Sequence, residues 1–277
     1  MNIVGIMWAR NEGDLIGEVI DDAVRQVDTL MIADDGSTDD TWSIIQEKRD
    51  QYRDRIEHIR QRPDVKDKGQ RQALLDEVRK RYRHEDTWVQ VIEGDTILLD
   101  TSVRDHVSSC TTQIALSWQM LNAARRPGTW REVDEYPRWK RPLRSVMPLA
   151  HRMEVVLYTF RPLPKLVFAS EPWRPWPSGW SHYMQGPLKK DERLPTSPLV
   201  LHIGYRGPRH FWEKYHRIGS RHPKYSSWDL TSPETVEQTV SFFNGQWNRR
   251  LFPASREGWT QWLKSRRAAR ESTPSPT

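Results

Sequence analysis

Cysteine is almost absent: Cys110 is the only one among 277 residues. A lone thiol excludes an intramolecular disulfide framework, so a reduced, cytoplasmic setting is the expected location. Long apolar runs are lacking as well. No stretch reaches the roughly 18 apolar residues of a membrane span, because Arg, Glu or Pro interrupts the longest candidates. The opening apolar run has no basic flank before it and is too short for a signal peptide, so it reads as a buried strand. No transmembrane segment is expected, and any membrane contact is peripheral. Internal repeats are missing too. The excess of one charge sign is small, with 43 Lys and Arg against 37 Asp and Glu and a net charge of +6. That balance permits an acidic partner such as nucleic acid, a phospholipid surface or an anionic glycan, without choosing among them.

What is present is a rhythm. Short apolar runs at residues 3–8, 29–33 and 87–92 alternate with charged, helix-period segments at 14–26, 40–52 and 67–82. This is the pattern of βαβ units, which predicts an α/β fold: a doubly wound, mainly parallel sheet with helices on both faces. Further strands are expected at 114–118, 166–169 and 199–203, and helices at 208–217 and 257–269. Between them, 125–144 and the proline-dotted 162–198 read as loop. The length accommodates a nucleotide-binding half over 1–112, an acceptor-binding and sheet-completing half over 113–263, and a basic, disordered tail over 264–277.

Two strand ends carry chemistry. The second strand runs into Asp34-Asp35-Gly36-Ser37-Thr38-Asp39-Asp40-Thr41. Carboxylates at a parallel-strand end suit a ribose or base, and the glycine admits a ligand closely. The alternative use of this Ser, Thr and Asp run is to cap the next helix. The strand at 87–92 ends in Glu93-Gly94-Asp95. Hard cations such as Mn²⁺ and Mg²⁺ take oxygen ligands, and an ion bridging a carboxylate and a diphosphate fits these acids. The alternative is a glycine-centred turn with exposed acids.

Taken in order, Ala9-Arg10-Asn11-Glu12, the Asp34 to Thr41 segment, Asp67-Lys68-Gly69-Gln70-Arg71-Gln72-Ala73, Glu93-Gly94-Asp95 and His202-Ile203-Gly204-Tyr205-Arg206 resemble the family 2 glycosyltransferases of the GT-A fold. The resemblance covers residues 1 to about 220 and is strongest in the first hundred. It implies an inverting transfer from a nucleoside-diphosphate sugar, a UDP-sugar foremost, with a divalent cation, Mn²⁺ or Mg²⁺, as cofactor. Asp35 would contact the nucleoside, with Ala9, Asn11, Glu12, Asp34 and Gly94 around it, and Lys68 and Arg71 would reach phosphate or nucleoside. Asp95, Glu93 and His202 would hold the metal. Glu93 departs from the commoner Asp-x-Asp. The general base is sought among Asp134, Glu135 and Glu171, with Asp134 preferred for its place after Arg131-Glu132-Val133.

The second half adds aromatics to charge. Trp173, Trp176, Trp180 and Tyr183 lie close together, and the chain holds 14 tryptophans in all. Most of these belong to core packing, yet aromatic faces also suit sugars and unstacked bases. Arg138, Lys140, Arg141 and Arg144 lie together in the earlier loop, so the acceptor is expected to be either a cell-surface glycan or a hydroxylated base in DNA. A nucleotidyltransferase and a non-catalytic nucleic-acid-binding protein are the competing classes. The former normally carries a glycine-rich basic loop after the first strand, where this chain has acids and one glycine; the latter leaves the acidic strand ends without a purpose.

Overall fold

The computed structural model describes residues 1–61, 67–98, 103–110, 115–125, 146–148, 154–164, 166–168, 184–185 and 199–205. Asp134, Glu135, Glu171, the basic and aromatic loops, the helices expected at 208–217 and 257–269 and the tail lie outside them.

The alternating first hundred residues fold as the rhythm requires. β1 (Asn2–Ala9), α1 (Ile16–Gln26), β2 (Thr29–Asp34), α2 (Thr41–Gln51), β3 (Ile56–Gln61), α3 (Asp67–Arg81) and β4 (Thr87–Glu93) follow one another in chain order. β1 pairs in parallel with both β2 and β4, and β2 pairs in parallel with β3. The sheet therefore begins in the order β3-β2-β1-β4. Right-handed crossovers put α1 and α2 on one face, and the return from β3 to β4 puts α3 on the other. Both faces being covered, every residue of β2 and β4 is buried. α1 turns Ile16, Val19, Ile20, Ala23 and Val24 inward at helical spacing.

Beyond β4 the sheet becomes mixed. β5 (Thr96–Leu98), α4 (Val103–Ser108), β6 (Ala115–Arg125), β7 (Val146–Pro148), β8 (Glu154–Phe160), β9 (Val167–Phe168), β10 (Met184–Gln185) and β11 (Leu199–Tyr205) follow. The hydrogen-bonded path runs β4-β8-β6-β11-β5, with β7 on β6 and with β9 and β10 as a separate pair. Strands of the second half thus complete the sheet begun in the first. β8 is pinned between its neighbours by a fully buried polar chain. The Trp118 indole N–H donates to Thr159 Oγ1 (2.7 Å), whose hydroxyl donates to Gln90 Oε1 (2.6 Å).

Only Gly94 and Asp95 separate β4 from β5 in the chain, although β8, β6 and β11 lie between them along the path. The sheet must curl to bring its last strand back beside the end of β4. β11 lies parallel to β6 and antiparallel to β5, with His202 opposite Thr96. Among the described residues no helix is long and apolar enough to cross a membrane.

Candidate active site

β1, β2 and β4 finish level. Ala9 is opposite Asp34, and Trp8 is opposite both Ala33 and Glu93. The ladder continues one residue further, with Asp35 N donating to Ala9 O (2.9 Å) and Gly94 N to Trp8 O (3.0 Å). Three acidic loops are thereby drawn together at the carboxyl edge, where ligands of open parallel sheets bind.

The first two loops are laced by side chains. Asn11 N donates to Ser37 Oγ (2.9 Å), Thr38 N to Asn11 Oδ1 (2.8 Å), Glu12 N to Thr41 Oγ1 (2.7 Å) and Gly13 N to Asp39 Oδ2 (3.0 Å). Asn11 adopts φ 53°, a left-handed conformation that asparagine tolerates better than most residues. The Ser, Thr and Asp run is thus spent mainly across the loops rather than on capping. Asp40 at the N-cap of α2 makes no side-chain cap bond.

The two neighbouring aspartates divide their work. The buried Asp34 carboxylate accepts from Gly36 N (3.1 Å), Ser37 N (3.0 Å), Gln61 Nε2 (2.9 Å) and the Ser37 hydroxyl. It builds the turn, in which Gly36 supplies φ 73°. Asp35, 5% exposed, lies instead beside the Arg10 guanidinium, with 3.5 Å between Oδ2 and Nη1. Glu12 is buried at the same edge, and its carbonyl accepts from Leu15 and Ile16 N at the start of α1.

Gly94 marks the closest approach. A Cβ there would stand 2.9 Å from Ala9 Cβ, 3.1 Å from Glu12 Cγ and 3.2 Å from Ala9 Cα, so the turn can press against the first loop only without a side chain. Thr96 ties the turn back, its hydroxyl donating to Glu93 O (2.9 Å) and accepting from Glu93 N (3.1 Å). This places Asp95 against β11, where His202 Nε2 is 3.2 Å from Asp95 Oδ2. One ligand atom from each of Glu93, Asp95 and His202 falls within 4.8 Å of the others. Two carboxylates and an imidazole form a donor set that suits Mn²⁺ well, and Mg²⁺ through its oxygens.

Arg71 comes up from α3 beneath this group. Its guanidinium carbon lies 3.6 Å from the centroid of the Trp8 ring, and Nη2 is 3.7 Å from Glu93 Oε1, with the side chain 5% exposed. Of Lys68, expected beside it, only the backbone in the first turn of α3 falls within the described residues. Arg10, Trp8, Gln61 and Thr96 were not singled out from the sequence as functional. Arg10 belongs to the very segment that carries the resemblance and Trp8 directly precedes it, so their position was the available signal. Burial raises the Cys110 thiol pKa above its ordinary value, with Arg161 opposing, which disfavours the thiolate a nucleophile needs.

With this geometry in hand, residues 6–113, which hold the ends of β1, β2 and β4, match the family model Glycosyl transferase family 2. No curated protein matches the chain. Among solved structures it is similar to S. aureus TarS 1-349 in complex with UDP, at 16% identity over 44% of this chain and 36% of that one, with a TM-score of 0.35. A further structure of S. aureus TarS matches at 14% identity over 89% of this chain and 43% of that one, with a TM-score of 0.43. The mannosyltransferase PcManGT from Pyrobaculum calidifontis, in complex with GDP-Man and Mn²⁺, matches at 13% identity over 99% of this chain and 76% of that one, with a TM-score of 0.42. The chain thus spans under half the length of each of the two TarS structures.

Proposed function

We infer that the protein is an inverting, metal-dependent glycosyltransferase that moves a sugar from a nucleoside-diphosphate sugar, a UDP-sugar foremost, to a hydroxyl acceptor. The observation that carries this reading is the convergence of Glu93, Asp95 and His202 within 4.8 Å, inside the curl of the sheet and at the end of a family 2 domain. These three residues hold the divalent cation, which when bound offsets the charge of a departing diphosphate.

The chain's own groups divide the remaining work. Asp35, with Arg10 beside it, receives the nucleoside; Asp34 keeps the turn open; Ala9, Asn11, Glu12 and Gly94 fix the distance between the nucleoside side and the metal side. Lys68 lies at the start of α3 on the phosphate side. The acceptor hydroxyl attacks the anomeric carbon as the bond to the diphosphate breaks, and its proton passes to a carboxylate, for which Asp134 is the choice ahead of Glu135 and Glu171. No covalent enzyme intermediate is required. The nucleotidyltransferase reading is disfavoured because the first loop spends the backbone N–H groups of Asn11, Glu12 and Gly13 on Ser37, Thr41 and Asp39, and so does not offer them to a phosphate.

The acceptor is a cell-surface glycan or, given the basic and aromatic loops of the second half, a hydroxylated base in DNA. Acceptor binding that weakens steeply with salt selects DNA; binding that changes little selects the glycan. The lone cysteine is in keeping with cytoplasmic action. The reaction is tested by incubating the protein with UDP-, GDP- and dTDP-sugars, with and without Mn²⁺ or Mg²⁺. Metal-dependent release of nucleoside diphosphate that is lost in Asp95→Ala supports the reading. Failure of every donor to bind in the presence of either metal overturns it.

A further inference from the structure

A buried arginine beside a candidate metal site calls for an explanation, because its charge repels the ion and some other contribution must outweigh that cost. Arg71 is 4% exposed as a residue and is held by two different groups at once: the face of Trp8 at the end of β1, and the carboxylate of Glu93 at the end of β4. The planar guanidinium can do both, stacking its face on the indole while its edge meets an acid. Buried ion pairs contribute little net stability once desolvation is counted, so the pair is better understood through the geometry it fixes. Glu93 is itself largely buried, and its main chain is clamped by Thr96. What that clamp leaves to be set is the carboxylate, at the end of a side chain one methylene longer than aspartate.

We propose that Arg71 is a positioning residue for the metal site: stacked on Trp8, it holds the Glu93 carboxylate in the group formed with Asp95 and His202. The Glu93 carboxylate stands 3.7 Å from Arg71 while one of its oxygens lies within 4.8 Å of the other two donors. The glutamate in this chain and the arginine from α3 are therefore two halves of one device, with Trp8 as its back wall. The inference rests on the metal site proposed above. It gives Arg71 a role other than direct contact with the donor.

The full-length protein is titrated with Mn²⁺ in the presence of UDP, following free Mn²⁺ by its electron paramagnetic resonance signal, for wild type, Arg71→Met, Glu93→Gln and the double variant. Partners that orient a metal ligand typically matter 10–100-fold in affinity, so Arg71→Met is expected to bind Mn²⁺ more weakly by about that factor. The double variant is expected to bind no more weakly than Glu93→Gln alone, since the two act through one carboxylate. UDP affinity measured without metal stays unchanged in Arg71→Met. Arg71→Lys, which keeps the charge but loses the fork, is expected to fall between wild type and Arg71→Met, and it carries the same cycle with Glu93→Gln if Arg71→Met does not fold. Additive losses, or a fall in metal-free UDP affinity, overturn the proposal and make Arg71 a nucleotide contact. If the wild type binds no Mn²⁺ with UDP or with GDP, the metal reading itself fails, and this inference with it.

Discussion

His202 and Asp95 stand 3.2 Å apart, Nε2 to Oδ2, although 107 positions separate them in the chain. Their meeting is produced by register: β11 lies antiparallel to β5 with His202 opposite Thr96, one residue beyond Asp95. The imidazole is therefore delivered by backbone pairing that is independent of any ion. Asp95→Asn and His202→Ala are expected to reduce metal-dependent donor cleavage by about 100-fold, the scale on which losing an electrostatic stabiliser of a leaving group is felt. The thermal midpoint should move little in either. Calorimetric titration with Mn²⁺ and UDP checks that the loss lies in metal binding; unaltered Mn²⁺ affinity in both variants would remove them from the site.

Asp34 and Asp35 adjoin in sequence and should separate in experiment. Asp34→Ala strips the acceptor from two backbone N–H groups, a hydroxyl and the Gln61 amide in a buried turn. It is expected to cost about 3 kcal/mol of stability, read as a lower denaturant midpoint. Asp35→Ala, by contrast, should leave the midpoint within about 1 kcal/mol and weaken UDP binding at least tenfold, about 1.4 kcal/mol. The reverse pattern would exchange their roles.

Gly94→Ala tests the closest approach in the site. The added methyl meets Ala9 at 2.9 Å and Glu12 at 3.1 Å, so either the turn or the first loop must shift. A loss of about 1–3 kcal/mol in stability is expected from overpacking, accompanied by weaker Mn²⁺ binding because Glu93 and Asp95 flank the displaced residue. Full stability and full metal affinity would show that the loop yields freely.

Arg10 and Asp35 together present a donor beside an acceptor at the mouth of the nucleoside side. Every base has such an edge to offer, a ring N–H next to a carbonyl in uracil, thymine and guanine or an exocyclic N–H next to a ring nitrogen in adenine and cytosine, so the pair by itself does not choose the base. Arg10→Ala is expected to weaken UDP binding by about tenfold, one hydrogen bond's worth. Unchanged UDP affinity in Arg10→Ala would count against a base at Asp35.

Three of the first four parallel strands, β1, β2 and β4, and the helices α1, α2 and α3 were legible because each is buried on a continuous face or stripe, which leaves a strong period in the sequence. β3 was not placed: Ile56-Glu57-His58-Ile59-Arg60-Gln61 is an edge strand, and its polar residues blur the signal. β5, at three residues, is too short to show a period at all. Glu93, Asp95 and His202 could be named from the motifs that carry the family resemblance, and the curl that unites them could not, because it depends on pairing between distant strands. Arg71 was named, from the same resemblance, as a contact for phosphate or nucleoside. Its burial between Trp8 and Glu93 arises from the levelling of two strand ends, which no local pattern records.

The turn at Gly94 and Asp95 is complete early in the chain, whereas the strand that brings His202 to it is made about a hundred residues later. During synthesis Asp35, Glu93 and Asp95 are therefore in place long before His202. A chain released before Leu199 contains these three carboxylates without the imidazole. On the reading argued above, a premature product can hold a nucleotide weakly without being equipped to split a sugar from it.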